Sequence, residues 1–367
     1  METSRLDVCT LCCFDNDGKY CIIAISSFVL LERLIVIIRK LVLVLAFVAF
    51  FAGTAFAQNA DNSARLVVLF PQSLGLSYIL GLGNNIVGMP FQRLRLSADD
   101  LCDFFKAYSP NIANAVDVGN PGSPNTETIL RLNPTLVFSA VHVPASVKLN
   151  AFLSEKGVQV LGLKAGFGNV EDWLEVVSST GAKVDRAAKS EAYVSLFRKN
   201  IELVRSRIAT VDKRPKVLVV NSGDGQPTIR GSRTTFVYDL IEIAGGRVIE
   251  GGDNSQNVSA NAEVILKFDP DIIITDMPDI VEQWSWWKHL RAVKEKKFFV
   301  CPVEDPKMRM TAWNQNMFAP LGLLWLAKTI HTDKFADIDL TKEHETFCKT
   351  VLDKAFAESK SIGMLGQ

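Results

Sequence analysis

Short apolar runs and amphipathic segments alternate along the chain from about residue 64 onward. RLVVLF (65–70) is rich in β-branched residues, as expected of a buried strand, and QSLGLSYILGLG (72–83) has helical spacing and ends at a glycine. Further strand-like and helix-like runs occupy residues 84–89, 135–141, 148–157, 158–163 and 171–184. Alternation of this kind is typical of parallel sheets covered by helices.

The alternation starts again in the second half of the chain. KVLVV (216–220) predicts a strand, and TTFVYDLIEIAGG (234–246) predicts a helix stopped by its glycine pair. DIIIT (271–275) and KFFVCPV (297–303) predict two more strands. A chain of 367 residues has room for two domains. The sequence therefore predicts an α/β protein with two Rossmann-like lobes, each built on a mainly parallel sheet.

A long amphipathic segment lies between the two predicted lobes. Its apolar side chains recur three and four residues apart, at Val194, Phe197, Ile201, Val204, Ile208 and Val211. One helix from about Asp185 to Val211 would reach about 40 Å, and we expect it to join the lobes as a stiff connection. The predicted division is a leader at 1–57, a first lobe at 64–184, a connecting helix at 185–213, a second lobe at 214–335 and a helical tail at 336–367.

The two lobes contain the same phrase, 136 residues apart. NTETILRLNP (125–134) and NAEVILKFDP (261–270) share the pattern Asn-x-Glu-x-Ile-Leu-basic-apolar-(Asn/Asp)-Pro, and each leads into a predicted strand. The phrase places Glu127 and Glu263 at equivalent positions near the start of a short helix. The helix dipole favours an acidic residue there, and the preceding asparagine is a good cap, so a purely local role is one interpretation.

The N-terminal region has the pattern of a secretory signal. Arg39 and Lys40 precede the apolar run LVLVLAFVAFFAGTAFA, which ends in Ala55-Phe56-Ala57. A basic region, an apolar run and an A-x-A site predict a signal peptide, so we expect Gln58 to begin the mature protein. A membrane-anchoring helix is the alternative interpretation. No cysteine follows the apolar run at the cleavage site, so the product is expected to be exported, soluble and without a lipid anchor.

Composition narrows the range of partners. The chain is 48% hydrophobic and 22% charged, and its 40 basic and 40 acidic residues cancel. A nucleic-acid binder usually has a basic excess or a basic stripe, and neither is visible. Of seven cysteines, four lie in the predicted leader, and the remaining three are too few for a disulfide framework.

The repeated phrases occur together with AGGRVIEGG (244–252) and LGLLWLAKTIHTDKF (321–335). In this order, over about residues 64–335, they resemble the class III periplasmic substrate-binding proteins of ABC importers, which carry iron–siderophore complexes, haem, cobalamin or bare metal ions. The resemblance implies a monomeric periplasmic binding protein rather than an enzyme. It also implies an ABC permease and its ATPase in the inner membrane as partners.

The resemblance gives roles to particular positions. In that family one exposed glutamate on each lobe reaches an arginine pocket on each half of the permease, and the matching residues here are Glu127 and Glu263. The ligand is expected in the cleft between the lobes, at loops that leave the carboxyl ends of the strands. Candidate ligand-binding residues in such loops are Gln72, Arg93, Arg95, His142, Arg230, Arg309, Met310 and Trp313. The alternatives are solvated arginines and Met and Trp side chains that pack under the C-terminal helix.

The ligand class can be narrowed by the donor residues. The four histidines are His142, His289, His331 and His344, and they are not spaced as a metal-ligand cluster. Arginine suits the anionic oxygens of a chelate, and aromatic or Met surface suits its organic shell. The sequence favours an iron(III)–siderophore as the ligand, with cobalamin, haem and a nickel chelate as alternatives. No cofactor and no direct metal ligand are predicted.

Two other classes of function stay open at this point. Ser73 in PQSLG follows a strand and precedes a helix, which loosely matches the nucleophile turn of an exported α/β-hydrolase. Pro71 stands where that turn requires glycine, and no triad spacing is evident. A ligand-sensing module without a transporter would share the same fold.

Overall fold

The computed structural model of the protein describes most of the chain beyond residue 63. The described residues are 64–91, 103–141, 143–163, 168–223, 226–229, 236–249, 258–259, 262–275, 286–304, 311–314 and 316–354. By its internal contacts the chain divides into two units, 1–63 and 64–367, and every described residue belongs to the second. The predicted leader at 1–57 lies outside the described residues.

The first lobe contains a sheet of parallel strands. The strands of this sheet are β1 (Leu66–Val68), β2 (Ile86–Met89), β3 (Val116–Asp117), β6 (Leu136–Ala140) and β7 (Gln159–Leu163). A separate small hairpin consists of β4 (Gly119–Asn120) and β5 (Ser123–Pro124). The order across the sheet is β3-β2-β1-β6-β7, and each neighbouring pair is parallel. Strands β4 and β5 pair with each other in antiparallel fashion.

The second lobe repeats this parallel arrangement and adds an antiparallel edge. Its strands are β8 (Lys216–Gly223), β9 (Gln226–Ile229), β10 (Arg247–Val248), β11 (Val258–Ser259), β12 (Ile272–Thr275) and β13 (Phe298–Val300). Strand β8 is parallel to β10 and β12, and β12 is parallel to β13. Strand β9 runs antiparallel to β8 and to β11. The predicted α/β class with mainly parallel sheets is confirmed.

Helices cover the two sheets. In chain order they are α1 (Pro71–Ile79), α2 (Asp103–Tyr108), α3 (Thr126–Arg131), α4 (Pro144–Glu155), α5 (Val170–Lys183), α6 (Ala187–Ile208), α7 (Phe236–Ile243), α8 (Ala262–Phe268), α9 (Arg291–Lys294), α10 (Ala319–Ile330) and α11 (Leu340–Leu352). Short 3-10 turns lie at Gly83–Asn85, Pro110–Asn114, Trp287–His289 and Asn316–Phe318.

Local chemistry explains several helix boundaries. Helix α4 begins at Pro144, four residues before the predicted start. Proline suits a first helical position, because it lacks the backbone N–H that would have no partner there. Helix α1 ends at Ile79, and Gly81 follows with φ of 69°. The connecting helix α6 lies within the predicted range and is 22 residues long, about 33 Å.

Both faces of the central strands are buried, so their side chains alternate between two apolar clusters. In β1, Leu66 and Val68 belong to an inner cluster and Val67 to an outer one. In β8, Val217 lies in the same inner cluster and Leu218 in a separate outer cluster. The inner cluster runs through both lobes and includes buried residues of α6 and α10. The two lobes therefore share one continuous core.

The C-terminal helix adds a second connection between the lobes. Helix α11 packs against α6, α10 and α1. Lys354 Nζ donates to the carbonyl oxygens of Ala107 (3.0 Å) and Tyr108 (3.2 Å), and Asp353 pairs with Lys189 of α6. The segment predicted as a helical tail thus contains a helix that returns to the first lobe.

Candidate functional site

The repeated phrase folds in the same way in both lobes. Glu127 and Glu263 are exposed residues in the first turns of α3 and α8. In α3, Asn125 caps the helix, because its side-chain oxygen accepts from Thr128 N at 3.0 Å. Each carboxylate therefore stands near the positive end of a helix dipole, on the surface of its own lobe.

The turn after each helix is also repeated. Asn133 has φ of 45° and Asp269 has φ of 44°, so both occupy the left-handed region, which Asn and Asp tolerate better than most residues. A proline follows each of them, and the chain then enters β6 or β12. These strands hold equivalent places, since β6 pairs with β1 and β12 pairs with β8, the first strand of each lobe.

A basic residue fixes each helix to the first strand of its lobe. Arg65 Nε donates to Leu132 O at 2.8 Å, and Lys216 Nζ donates to Phe268 O at 2.7 Å. Leu132 and Phe268 are equivalent positions in the two copies of the phrase. The sequence reasoning missed this pair of bonds. The available signal was a basic residue at the start of the first apolar run in each lobe, Arg65 in RLVVLF and Lys216 in KVLVV.

The copy in the second lobe carries an additional charged network. Arg291 Nε donates to Asp269 Oδ2 at 3.1 Å, and Arg291 Nη2 donates to Asp271 Oδ1 at 2.7 Å. Asp271 also accepts from Lys216 N at 2.8 Å. Partial burial works against the charged carboxylate, but the bonds from Lys216 N and Arg291 outweigh it, so the pKa of Asp271 is lowered.

The predicted ligand-binding residues fall largely outside the described part of the chain. Those outside are Arg93, Arg95, His142, Arg230, Arg309 and Met310. Gln72 is described: it is half-buried in the first turn of α1, which follows the carboxyl end of β1. That end of a parallel strand is where a ligand of an α/β protein is expected.

Trp313 does not have the ligand-facing position that the sequence suggested. Its side chain is fully buried, its Nε1 donates to Glu304 Oε1 at 2.7 Å, and its ring stacks on that of His344 of α11. The ring is held in the interior by this bond and by the C-terminal helix. This corrects the ligand-contact assignment for Trp313 in favour of the alternative, packing under the C-terminal helix.

Glu304, Trp313 and His344 form a buried polar cluster. His344 Nε2 lies 2.9 Å from Glu304 Oε1, and Cys348 Sγ lies 3.7 Å from His344 Nδ1. Burial favours the neutral imidazole, but the hydrogen bonds with Cys348 and Glu304 raise the pKa of His344 to about 9. The raised pKa favours the charged form of His344 beside Glu304, and the bond between them joins the end of the second sheet to α11.

The same cluster also has backbone bonds between the described residues on either side of positions 305–310, and Arg309 and Met310 themselves lie outside the described residues. Glu304 N donates to Thr311 O at 3.2 Å, and Trp313 N donates to Pro302 O at 2.8 Å. Residues 302–304 and 311–313 are thus joined by backbone bonds and by the bond between Trp313 and Glu304. The sequence predicted ligand contacts at Arg309 and Met310, and it did not indicate the bond between Glu304 and His344.

The position of Ser73 argues against a hydrolase. Ser73 is fully buried in α1, and its hydroxyl donates to Phe70 O at 2.5 Å. A nucleophilic serine has to present its oxygen at the surface of a site. The α/β-hydrolase alternative is therefore contradicted at its proposed nucleophile.

Neither a metal-ligand cluster nor a membrane-spanning helix is present among the described residues. No group of three or more His, Cys, Asp or Glu side chains among them could hold a metal ion. Within that same part of the chain, no helix combines the length and apolarity needed to cross a bilayer.

The fold consists of two α/β lobes with an equivalent surface glutamate on each, and comparison with known proteins identifies its family. A family model described as "Periplasmic binding protein" matches residues 66–304. The chain belongs to this family. Its relatives are substrate-binding proteins and not enzymes.

Individual relatives are distant in sequence. The high-affinity heme uptake system protein IsdE of Staphylococcus aureus is 24% identical over 241 residues, which cover 63% of this chain and 79% of IsdE. A periplasmic solute-binding protein of Veillonella parvula is 22% identical, with 83% of this chain and 92% of that chain covered and a TM-score of 0.67. CeuE of Helicobacter pylori, solved with Ni(II) bound, is 16% identical, with 82% and 93% covered and a TM-score of 0.61. The two structures support the shared fold.

Proposed function

We propose that this chain is an exported, monomeric solute-binding protein that captures a metal chelate in the cleft between its lobes and delivers it to an ABC permease. The observation that carries the proposal is the pair of surface glutamates, Glu127 and Glu263, held in the same local structure on both lobes. Family membership supports the class of function. Two carboxylates on one body suit a partner that presents two basic pockets.

The ligand that we favour is an iron(III)–siderophore. The residues proposed to bind it are Gln72, Arg93, Arg95, His142, Arg230, Arg309 and Met310. Arginine can make paired hydrogen bonds to the anionic oxygens of a chelate, and methionine can contact its organic part. Names of relatives point to the same broad class of cargo, since IsdE belongs to a heme uptake system and CeuE was solved with Ni(II).

Haem is the second candidate, because IsdE is a heme uptake protein with detectable sequence identity to this chain. Native mass spectrometry of the exported protein, purified without denaturation, separates the two. A bound mass containing iron without a Soret absorption band supports the siderophore, whereas a Soret band together with the mass of haem supports haem. Recovery of a ligand without any metal, such as an amino acid, would contradict the chelate proposal.

Delivery is tested separately from capture. Glu127→Ala and Glu263→Ala are expected to lower uptake of the chelate into cells while leaving its affinity for the purified protein unchanged. Glu202→Ala is the matched control, since Glu202 is an exposed glutamate of α6 outside the repeated phrase. Loss of chelate binding in either repeat variant would assign that glutamate to the ligand site instead.

Export and transport are tested on the native protein. N-terminal sequencing of the mature protein is expected to begin at Gln58, and an intact leader in the membrane fraction would contradict cleavage. Genes for a permease and an ATPase beside the gene for this chain favour transport over a sensing role. Sedimentation of the purified protein is expected to give the mass of one chain.

A further inference from the structure

Exposed apolar side chains are concentrated in the two repeated segments. The large apolar side chains that are exposed among the described residues are Val116, Leu130, Val141, Val147, Val264 and Leu266. Three of these six lie in α3 or α8, although these helices are only six and seven residues long. Single exposed apolar residues are common on protein surfaces, so the concentration alone decides little. Their equivalence between the lobes is the informative feature.

Leu130 and Leu266 occupy the same position in the two copies, three residues after Glu127 and Glu263. Each leucine is 40% exposed. Residues three apart on a helix lie on the same face, so each lobe presents a carboxylate and a leucine side by side. The intervening isoleucine is fully buried in both copies and anchors the helix to the outer face of its sheet.

The two copies also differ in a way that enlarges the apolar surface of the second lobe. Val264 is 48% exposed, whereas Thr128, its equivalent, is buried and accepts a hydrogen bond from Arg131 at 3.2 Å. The second lobe therefore presents a valine and a leucine beside its glutamate. The first lobe presents only a leucine beside its glutamate.

We propose that Leu130 and Leu266, with Val264, are apolar contact points of the permease interface. This inference rests on the proposed function and adds to it the chemistry of the partner surface. A partner with two similar halves could contact the equivalent leucine on each lobe. Each half is inferred to hold an apolar pocket next to a cationic group, because each lobe offers a leucine next to a carboxylate.

Photocrosslinking in intact cells of the producing organism tests the contact directly. Photoreactive benzoylphenylalanine replaces Leu130, Leu266 or, as the control, Val116, which is 42% exposed in the edge strand β3 and lies outside the repeat. Covalent adducts with the permease polypeptide at the two leucine positions, and none at the control position, are expected. Adducts between two copies of this chain, or none at either leucine position, would overturn the inference.

Affinity for the permease–ATPase complex encoded beside this gene, purified in lipid nanodiscs, gives the magnitude. Leu130→Gln and Leu266→Gln are each expected to weaken binding about 5- to 30-fold, as for a leucine buried within an interface. Val116→Thr is expected to bind as the wild type does. All three residues are exposed, so the melting temperatures should change little.

The same measurement separates the two levels of the proposal. Weakened binding by Glu127→Ala and Glu263→Ala, with wild-type binding by both leucine variants, would overturn the apolar contact and leave docking intact. Failure of the wild-type protein to bind the complex at all would overturn both.

Discussion

The two copies of the repeated segment agree in backbone and differ in the interactions that support it. In both lobes a short helix is anchored by a buried isoleucine, ends at a left-handed Asn or Asp and is tied to the first strand by a basic side chain. In the first lobe, Arg65 N donates to the neutral Thr135 hydroxyl at 2.9 Å. In the second, the equivalent acceptor is the Asp271 carboxylate, which Arg291 also contacts.

The two copies therefore share the position of the helix and its surface residues, but not the bonds that hold the helix in place. The position of the helix, and with it the glutamate and leucine that face outward, is kept in both lobes. At one equivalent position the acceptor is the neutral Thr135 hydroxyl in the first lobe and the ion-paired Asp271 carboxylate in the second. Neutral bonds are insensitive to pH near neutrality, whereas a carboxylate with a lowered pKa loses its contribution in acid. The two lobes should therefore respond differently to the same kind of substitution.

The largest effect is expected outside the repeat, at the buried pair of Glu304, which follows the second sheet, and His344 of the C-terminal helix. Glu304→Gln removes the carboxylate that stabilises the charged form of the buried His344 and should lower the free energy of unfolding by about 3 kcal/mol at pH 7. Urea denaturation measures it. Glu345→Gln, at the exposed neighbour of His344, serves as the control and should change it by less than about 0.5 kcal/mol.

The pH dependence of this pair has a definite sign. The folded pKa of His344, about 9, lies above its ordinary value of 6.5. The stabilisation is therefore complete below pH 6.5 and is lost as pH rises through about 9. The gap between wild type and Glu304→Gln should narrow above pH 9, and a constant gap across that range would contradict a charged His344.

A comparable effect in both lobes is expected at the buried isoleucines of the repeat. Ile129→Ala and Ile265→Ala each remove a fully buried side chain and should lower the free energy of unfolding by about 2–4 kcal/mol. Leu130→Ala and Leu266→Ala are the matched controls and should each cost less than about 1 kcal/mol, because these leucines are partly exposed. Unequal costs for the two isoleucines would break the structural equivalence of the copies.

A smaller effect should distinguish the two lobes. Asp271→Asn weakens the bonds from Lys216 N and Arg291 and should lower the free energy of unfolding by about 1–2 kcal/mol at pH 7. Because the folded pKa of Asp271 is below 3.8, the carboxylate's contribution is present above pH 3.8 and is lost as pH falls through the lower folded value. Thr135→Val, the equivalent change in the first lobe, should have a cost that does not vary between pH 3 and 7.

The smallest effect is expected for the basic residues that tie each helix to its first strand. Lys216→Met and Arg65→Met each remove one hydrogen bond to a carbonyl oxygen and should cost about 0.5–1.5 kcal/mol, with Arg65 at the lower end because it is more exposed. Lys148→Met, at an exposed lysine of α4, is the control. A cost for Arg65→Met above that for Lys216→Met would contradict the ranking by burial.

Sequence by itself determined the features that depend on local periodicity and local backbone chemistry. Buried parallel strands need apolar side chains on both faces, so RLVVLF, TLVFSAV and DIIIT were recognisable. The amphipathic spacing predicted α6, and the repeated phrase predicted two equivalent helices with Glu127 and Glu263 on them. Each of these signals lies within a few consecutive residues.

Only the tertiary structure decided the contacts between residues far apart in the chain. Trp313 was expected at the ligand, but it is buried because Glu304 and His344 hold its ring against α11. His344 lies 31 residues later in the chain, and no local pattern around Trp313 predicts that contact. The bond from Arg65 to Leu132 likewise joins positions separated by 67 residues. Such contacts arise when the sheet brings distant segments together. The exposure and partners of a side chain therefore follow from the packed fold. The type of secondary structure, by contrast, can be predicted from the pattern of neighbouring residues in the sequence.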